Sequence, residues 1–212
     1  MTYFIRQIHQ FISNDMDDKT LRQQVKAHGV DARRLSRFTQ LALLGALPLK
    51  PYLTEKSGIY LGSPFNSPGK FDKMFHQLTA QNLPSPLDFM ANINNAATFQ
   101  LAQTLQIHGN SLFLAVNQQT IWQPLRLALL DLEQQEMPSM PSALVGWVLE
   151  NDNGQQEGAC FWIVSKEAES AVGNGRVSQI STLLNRSSLI QAIPTGEGFL
   201  EFLQRKIVDI LR

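Results

Sequence analysis

The chain has 212 residues, with 18 Lys and Arg against 18 Asp and Glu, so its formal net charge at pH 7 is zero. This balance lacks the positive charge of most nucleic-acid-binding domains, and a composition of 43% apolar and 17% charged residues excludes a largely disordered protein. The single cysteine, Cys160, excludes an internal disulfide. No group of Cys and His has the spacing of zinc ligands, so no metal is expected.

The N-terminal segment carries no targeting signal that the sequence pattern reveals. Arg6, His9 and Gln10 interrupt its apolar residues, which predicts neither a signal peptide nor a membrane-spanning helix. We therefore expect a cytoplasmic protein that contacts no membrane and no nucleic acid, folded as a single domain over residues 1–212.

Short apolar runs alternate with longer helical patterns along the chain, which predicts an α/β layered fold. Strands are expected at residues 3–12 and 58–63, where apolar residues alternate or form a short run. Apolar residues at three- and four-residue spacing predict helices. The helices expected in this part of the chain cover residues 35–44, 70–79 and 86–105.

The second half continues the alternation. SLFLAV (residues 111–116) is too short for a helix and predicts a buried strand, and the apolar helix over residues 121–132 must be enclosed on most sides. SALVGWVLE and EGACFWIVS, joined by the polar NDNGQQ, predict an antiparallel hairpin. The segment 166–212 is expected to be a polar connection followed by an amphipathic C-terminal helix.

The turn that follows SLFLAV is the first candidate site. It reads Val-Asn-Gln-Gln-Thr over residues 116–120 and leads into the apolar helix. A strand followed by a sharp turn and a helix N-terminus is a layout that presents a nucleophile beside amides able to stabilise an oxyanion. An amide side chain is no acyl-accepting nucleophile, because its nitrogen lone pair is delocalised. The turn therefore predicts the geometry of an acyl-transfer site that lacks a nucleophile.

The segment Ser85–Gln118, SPLDFMANINNAATFQLAQTLQIHGNSLFLAVNQ, resembles the nucleophile region of the β-ketoacyl synthases of the thiolase superfamily. In that family a Ser-Pro segment leads into a helix bearing Asn-x-x-Ala, then a Gly-containing turn, a strand and the catalytic cysteine. By this resemblance Gln118, nine residues after Gly109, takes the place of that cysteine. Glutamine is found there in chain length factors and in the decarboxylating ketosynthases of loading modules. LSRFTQLALLGA (35–46) and GIYLGSPFNSP (58–68) are also similar to the family, which extends the resemblance over roughly residues 35–165.

The resemblance implies the N-terminal half of a thiolase-like domain, an α/β fold with a layered mixed sheet and helices on both faces. A working ketosynthase also uses two histidines from its C-terminal half, whereas the histidines of this chain are at positions 9, 28, 76 and 108, all before Gly109. Without them neither condensation nor decarboxylation has its proton-handling groups. The chain thus resembles a truncated chain length factor, and we expect no catalysis by the chain alone and no cofactor.

The partner and site residues expected from the resemblance follow from that role. A chain length factor pairs with an active ketosynthase and shapes its acyl tunnel during polyketide or fatty-acid chain elongation, here of the polyene type. The pseudo-active site and tunnel residues are expected to be Asn117, Gln118, Phe89, Asn92 and Asn95. In ketosynthase dimers the corresponding strands pair across the two-fold axis, so the interface with a ketosynthase, or with a second copy of this chain, is expected at Leu112, Phe113, Leu114, Ala115 and Val116.

A basic cluster supplies the remaining candidate site. Arg33, Arg34 and Arg37 are expected to receive an acidic acyl carrier protein, with an ordinary solvated helix face as the alternative.

Two other functions stay open on the sequence alone. One is a stand-alone acyltransferase or decarboxylating ketosynthase-like enzyme that uses Cys160 or Gln118, and the other is a carrier-binding structural module. The alternating surroundings of Cys160 in ACFWIV predict a buried structural thiol, and His108 is expected to be a turn residue.

Overall fold

The computed structural model describes residues 3–13, 16–83, 85–134, 140–150, 156–166, 178–179 and 198–211, with side chains described throughout except in 178–179 and 207–211. Six strands form one mixed sheet in the order β3-β2-β4-β5-β1-β6. The strands are β1 (Phe4–Ile12), β2 (Gly58–Ser63), β3 (Ser111–Ala115), β4 (Ser142–Leu149), β5 (Gly158–Ser165) and β6 (Ser178–Gln179).

Helices connect the strands and cover the sheet. Within the described ranges the α-helices are α1 (Asp18–Ala27), α2 (Arg37–Ala46), α3 (Pro68–Gln81), α4 (Pro86–Ala91), α5 (Ala96–Leu105), α6 (Gln123–Gln134) and α7 (Phe199–Leu211). A 3₁₀ helix (Leu47–Tyr52) follows α2. None of the described helices is long and apolar enough to cross a bilayer.

The sheet combines a parallel part and an antiparallel part. β2 pairs in parallel with β3 on one side and with β4 on the other, while β4, β5 and β1 pair antiparallel in succession. In this register Ser63 is opposite Ala115, and Gly62 is opposite Trp147. The C-terminal ends of β2, β3 and β4 therefore meet along one side of the sheet, which we call the carboxyl edge.

Both faces of the sheet are packed, because alternate residues of its strands point to opposite sides. On one face Trp147 and Trp162 pack with Trp122 and with α6 and the first turns of α7. On the other face Phe161 and its neighbours pack against α1, α2 and α5. A Cβ atom on Gly146 would lie 2.0 Å from the Phe161 ring, so glycine is required there for the ring to lie flat on the sheet. The predicted α/β layering with helices on both faces is confirmed.

The predicted helix over residues 86–105 is wrong, because the structure has two helices there. α4 ends at Ala91 and α5 begins at Ala96. Between them the Nδ2 of Asn92 donates to the backbone oxygen of Asp88 at 2.8 Å, and Asn95 precedes the first residue of α5. Short amide side chains that bond to nearby backbone groups favour helix ends over helix interiors, which explains the break.

The prediction that residues 111–116 form a buried strand is correct for the strand and wrong for the burial. β3 is an edge strand with a single described neighbour, β2, and Leu112 is 41% exposed. An apolar edge strand of this kind leaves its outer N–H and C=O groups available for another chain.

The hairpin of β4 and β5 and the C-terminal helix α7 are confirmed. The strands predicted at residues 3–12 and 58–63 are also confirmed, as β1 and β2. Most of the segment expected to be a polar connection, residues 167–177 and 180–197, lies outside the described residues, so that assignment stays a prediction, as does the extent of the single domain.

Candidate functional site at the carboxyl edge

Gln118 lies in the turn that joins β3 to α6 and is exposed. Asn117 holds this turn: its Oδ1 accepts the N–H groups of Gln119 at 2.9 Å and Thr120 at 3.0 Å. The hydroxyl oxygen of Thr120 in turn accepts the N–H of Asn117 at 2.8 Å. The structure therefore places Gln118 at a strand-to-helix corner, fixed by hydrogen bonds of its neighbours.

The five residues expected at an interface along β3 do not share one environment. Leu112 and Ala115 are exposed, and Phe113 packs edge-on against Phe38, with ring centroids 6.2 Å apart. Leu114 is partly buried against the tryptophan cluster, and Val116, just beyond the strand, is buried. Only part of this set is available to a partner through its side chains, whereas the outer backbone of the strand runs along the open edge of the sheet.

The segment between α4 and α5 is joined to the loop after β2. Asn66, in that loop, donates from Nδ2 to the backbone oxygens of Ile93 at 2.9 Å and Asn92 at 3.3 Å. Asn95 lies at the start of α5, and Phe89, on α4, is 61% exposed. The structure thus brings Asn92 to the loop that leaves the carboxyl edge at β2, while Asn95 lies at the start of α5 and Phe89 is exposed on α4. Their expected tunnel role stays a prediction.

A cleft of about 600 Å³ lies between the approach to α2 and the pair α4 and α5. Arg33 and Arg34 form one wall, and exposed apolar side chains form another. The guanidinium of Arg33 pairs with Asp31, with Nη2 and Oδ2 2.6 Å apart, and this hydrogen bonding lowers the pKa of Asp31 to about 2. The apolar lining residues are Leu35, Leu87, Met90, Ala91, Ile93, Ala96 and Phe99.

Arg37, the third arginine of the predicted docking cluster, is bonded inside the molecule. Its Nε donates to both carboxylate oxygens of Glu157 at 3.0 Å, and its Nη1 donates to Asp18 at 2.7 Å. Its Nη2 donates to the backbone oxygen of Met16 at 2.5 Å and also contacts Glu157. These hydrogen bonds, above all those with Glu157, raise the pKa of Arg37. Arg37 therefore joins α1, α2 and the start of β5, and it does not line the cleft with Arg33 and Arg34.

Cys160 lies within β5 and has no solvent exposure. Burial raises the pKa of this thiol to about 12, so almost none of it is thiolate at neutral pH. The predicted buried thiol is confirmed. A nucleophilic role for Cys160 would require both access and ionisation, and the structure provides neither.

Two of the histidines, His9 and His108, lie away from the Gln118 turn. His108 precedes β3 and so lies at the opposite end of that strand, exposed in a loop, with its backbone N–H bonded to the oxygen of Glu55. His9 is in β1, bonded through Nδ1 to the oxygen of Gly45 at 2.8 Å. The structure thus places His108 in the connection between α5 and β3, outside any helix or strand. Within the described part of the chain no group of three or more His, Cys, Asp and Glu is arranged to hold a metal ion.

Glu150 is a residue at the carboxyl edge that the sequence analysis missed. It follows β4 directly, is 8% exposed, and accepts the N–H of Phe38 on Oε2 at 2.9 Å and the N–H of Gly69 on Oε1 at 3.1 Å. Burial raises its pKa to about 7, against the opposing effect of those two hydrogen bonds. A single glutamate after a strand carries no pattern that distinguishes it from a surface residue, so the sequence offers no signal for this contact.

Exposed large apolar side chains are concentrated in one part of the chain. Of the thirteen among the described residues, eleven fall between residues 65 and 112, on α3, α4, α5, β3 and their connections. α3 packs on α4, and α5 packs on β3. We call this set the apolar surface: Phe65, Phe71, Phe75, Leu78, Leu83, Leu87, Phe89, Met90, Ile93, Phe99 and Leu112. Contiguous exposed apolar patches are typical of interaction surfaces, whereas scattered single apolar residues are not.

The fold is that of ketosynthases and chain length factors. A chain of a ketosynthase in complex with its chain length factor from Xenorhabdus doucetiae is similar, with a TM-score of 0.61 and 16% identity over 80% of this chain and 81% of that chain. The ishigamide ketosynthase/chain length factor is similar at a TM-score of 0.59 and 16% identity, over 81% of this chain and 64% of that one.

A third similar structure is a type II polyketide synthase acyl-carrier protein in complex with its ketosynthase, at a TM-score of 0.59 and 12% identity, over 77% of this chain and 62% of that chain. The chain thus spans less than two thirds of the length of the last two structures. No protein-family model matches the sequence, and no curated protein does. The ketosynthase-like fold expected from the sequence resemblance is confirmed.

We expect Cys160 to react with a thiol reagent only when the chain unfolds. Because the thiol is buried and protonated, labelling by an aromatic disulfide reagent at about pH 8 should be at least about 100-fold slower in the native protein than in denaturant. A Gln118→Cys variant serves as the control, since its added thiol lies in an exposed turn and should be labelled at once. Rapid labelling of Cys160 in the native wild type would contradict the structural role.

Proposed function

We propose that the chain is a non-catalytic, chain-length-factor-like subunit that pairs with an active ketosynthase and shapes its acyl tunnel in polyketide or fatty-acid chain elongation of the polyene type. The observation that carries this proposal is the amide side chain of Gln118 at the strand-to-helix corner, where by sequence resemblance a ketosynthase has its cysteine. An amide does not attack a thioester, so the chemistry belongs to the cysteine of the partner.

The apolar surface and the open edge of β3 support pairing with another subunit. Ketosynthase and chain length factor are named together in two of the similar structures, which favours a partner of that kind. A surface with eleven exposed large apolar side chains is suited to an obligate interface, a class that buries more than about 2,000 Å². The strand adds main-chain hydrogen-bonding groups along one side of that surface.

Leu112→Glu should weaken the complex with a co-expressed ketosynthase by at least about tenfold, because an unpaired carboxylate would be buried against the partner at the edge of β3. The matched control is Tyr52→Glu on the 3₁₀ helix, since Tyr52 is 45% exposed against 41% for Leu112 and its helix packs on β1, four strands away from β3 in the sheet. Co-elution in size exclusion and titration of the purified subunits measure the effect.

The outcomes of that experiment separate the proposal from its rivals. Equal behaviour of the two glutamate variants would contradict an interface at β3. A wild-type chain that elutes as a monomer and leaves the product spectrum of the ketosynthase unchanged would contradict the subunit role and leave a carrier-binding module. A stable dimer of this chain alone that ignores the ketosynthase would favour self-association.

Phe89 is proposed to close the acyl tunnel of the partner, since its ring is large, 61% exposed and part of the apolar surface. Phe89→Ala should then shift the products of the reconstituted complex to longer chains. Phe75→Ala on α3 removes a ring of similar exposure, 55%, and serves as the control that should leave the chain length unchanged. Mass spectrometry of the released products gives the readout, and an unchanged distribution for Phe89→Ala would exclude this residue from the tunnel.

Carrier docking is proposed for Arg33 and Arg34 rather than for the whole arginine cluster. These two residues line the cleft, whereas Arg37 is held by Glu157, Asp18 and Met16. One of the similar structures is a complex with an acyl-carrier protein, which supports a carrier as the partner.

Arg34→Glu should weaken binding of an acidic carrier protein by about tenfold at low salt, with a smaller difference at high salt, because screening reduces the attraction between exposed charges. Lys19→Glu makes the same charge change at an exposed position on α1 and should have little effect. Affinity measured by titration calorimetry at two salt concentrations tests this. The same loss in both variants would indicate a general charge effect and no docking site.

A further inference from the structure

Glu150 satisfies the N-terminal amides of two helices with one carboxyl group. Its Oε2 accepts the N–H of Phe38, in the first turn of α2, and its Oε1 accepts the N–H of Gly69, in the first turn of α3. The beginning of α3 has no side-chain cap: Ser67 lies in the left-handed region at φ 52° without a capping hydrogen bond, and Pro68 has no N–H to donate. Glu150 therefore supplies the cap that α3 lacks in its own sequence.

The packing of α3 makes this cap important for holding the helix in place. None of the fourteen residues of α3 is buried, so the helix is held mainly by polar contacts. Lys70 and Lys73 each pair with Asp88 of α4, at 3.1 Å and 3.3 Å. At the N-terminus of α3, Ser67 donates to the hydroxyl oxygen of Ser36 at 2.9 Å, and Gly69 is bonded to Glu150. A Cβ atom on Gly69 would lie 2.9 Å from Oε1 of Glu150, so the carboxyl group and the helix backbone are in direct contact.

We infer that Glu150 is a positioning residue that, through its hydrogen bonds to Phe38 and Gly69, holds α3, and with it the exposed stripe of Phe71, Phe75 and Leu78, against α2 at the carboxyl edge. The stripe is part of the apolar surface, and two of its rings, Phe71 and Phe75, stack at 6.2 Å. The position of α3 therefore determines the orientation of this part of the apolar surface.

The charges around Glu150 come from three elements. Glu157 at the start of β5 disfavours its ionised form, and Arg37 on α2 favours it. On α3 the nearby cations, Lys70 and Lys73, are paired with Asp88 instead. Burial is the largest effect and raises the pKa of Glu150 to about 7 from the usual 4.5. The Glu150 carboxyl binds its proton more tightly when α3 is packed against α2 than when α3 is released and the carboxyl is in water. Ionisation of Glu150 above this pKa therefore favours release of α3.

Hydrogen exchange of the full chain, corrected for the intrinsic dependence of exchange on pH, tests this without any partner. If opening of α3 exposes Glu150, the opening equilibrium should rise about tenfold between about pH 6 and pH 8, since the pKa changes from about 7 to about 4.5 on release. Peptides from α5 should show no such rise. In Glu150→Gln the pH dependence of α3 exchange should disappear.

His76 is the matched control, because it is the histidine on α3 itself. His76→Gln should keep the tenfold dependence. If His76→Gln abolishes it, or if Glu150→Gln retains it, the inference is wrong. An equal rise in α3 and α5 peptides of the wild type would also overturn it, because it would show opening of the whole domain.

A second variant keeps the test decisive if Glu150→Gln fails to fold. Gly69→Ala places a Cβ atom against Oε1 and should displace the carboxyl group from α3 while the bond to Phe38 remains. Exchange of α3 should then rise at both pH values, with α2 unchanged. Unchanged α3 exchange in a folded Gly69→Ala protein would contradict the positioning role. None of these outcomes depends on pairing with a ketosynthase, so failure here leaves the proposed function untouched.

Discussion

The parallel pairing of β2 with β3 on one side and β4 on the other is the constraint on which the rest of the structure depends. It brings three chain segments to one edge: the loop from Ser63, the turn that carries Gln118, and Glu150. Helices α3 and α6 begin shortly after two of these strands, so their N-terminal ends, which carry partial positive charge, are directed to the same region. Such an edge attracts anionic groups and carbonyl oxygens. At this edge the chain presents amides and one buried carboxyl group.

The packing of the two sheet faces explains where apolar area stays exposed. Half of a layered domain is expected to leave apolar surface uncovered. The sheet face next to α6 is closed instead by α7, where Phe202 packs on Trp122 with ring centroids 5.9 Å apart. The uncovered area lies on α3, α4, α5 and the edge of β3. Among the described residues both sheet faces are therefore covered by helices, while the exposed apolar area lies on helices and an edge strand.

The sequence predicts most elements of this fold because their signals are local. The hairpin of β4 and β5 follows from two apolar runs with a polar loop between them, and α7 from its apolar stripe. The exposed edge position of β3 could not be predicted, because SLFLAV has the composition of a central buried strand. Its position at the edge of the sheet depends on the pairing of distant segments. The break after Ala91 had a signal in Asn92 and Asn95, which are typical of helix ends. The contact of Glu150 with Gly69 spans eighty-one positions and has no local signal.

The same distinction applies to the candidate site. The corner that holds Gln118 follows from the order strand, turn and helix, and the sequence places it correctly. Arg34 and Arg37 are three positions apart in the chain, and their situations differ because Asp18 and Glu157, which lie in other elements, pair with Arg37. Three arginines on one segment therefore form two groups with different contacts.

The choice between self-pairing and a ketosynthase partner follows from the nucleophile. A pair of identical chains joined at β3 would have an amide at both strand-to-helix corners, and the thiol of Cys160 is buried and protonated in each. Such a dimer would place no thiol at either corner. Under the proposed function, a partner that carries a cysteine at its own corner supplies the thiolate, and this chain contributes a tunnel wall and a docking surface. Under the same proposal, chain elongation thus requires a heterodimer, in which this chain shapes the acyl tunnel and the partner supplies the nucleophile.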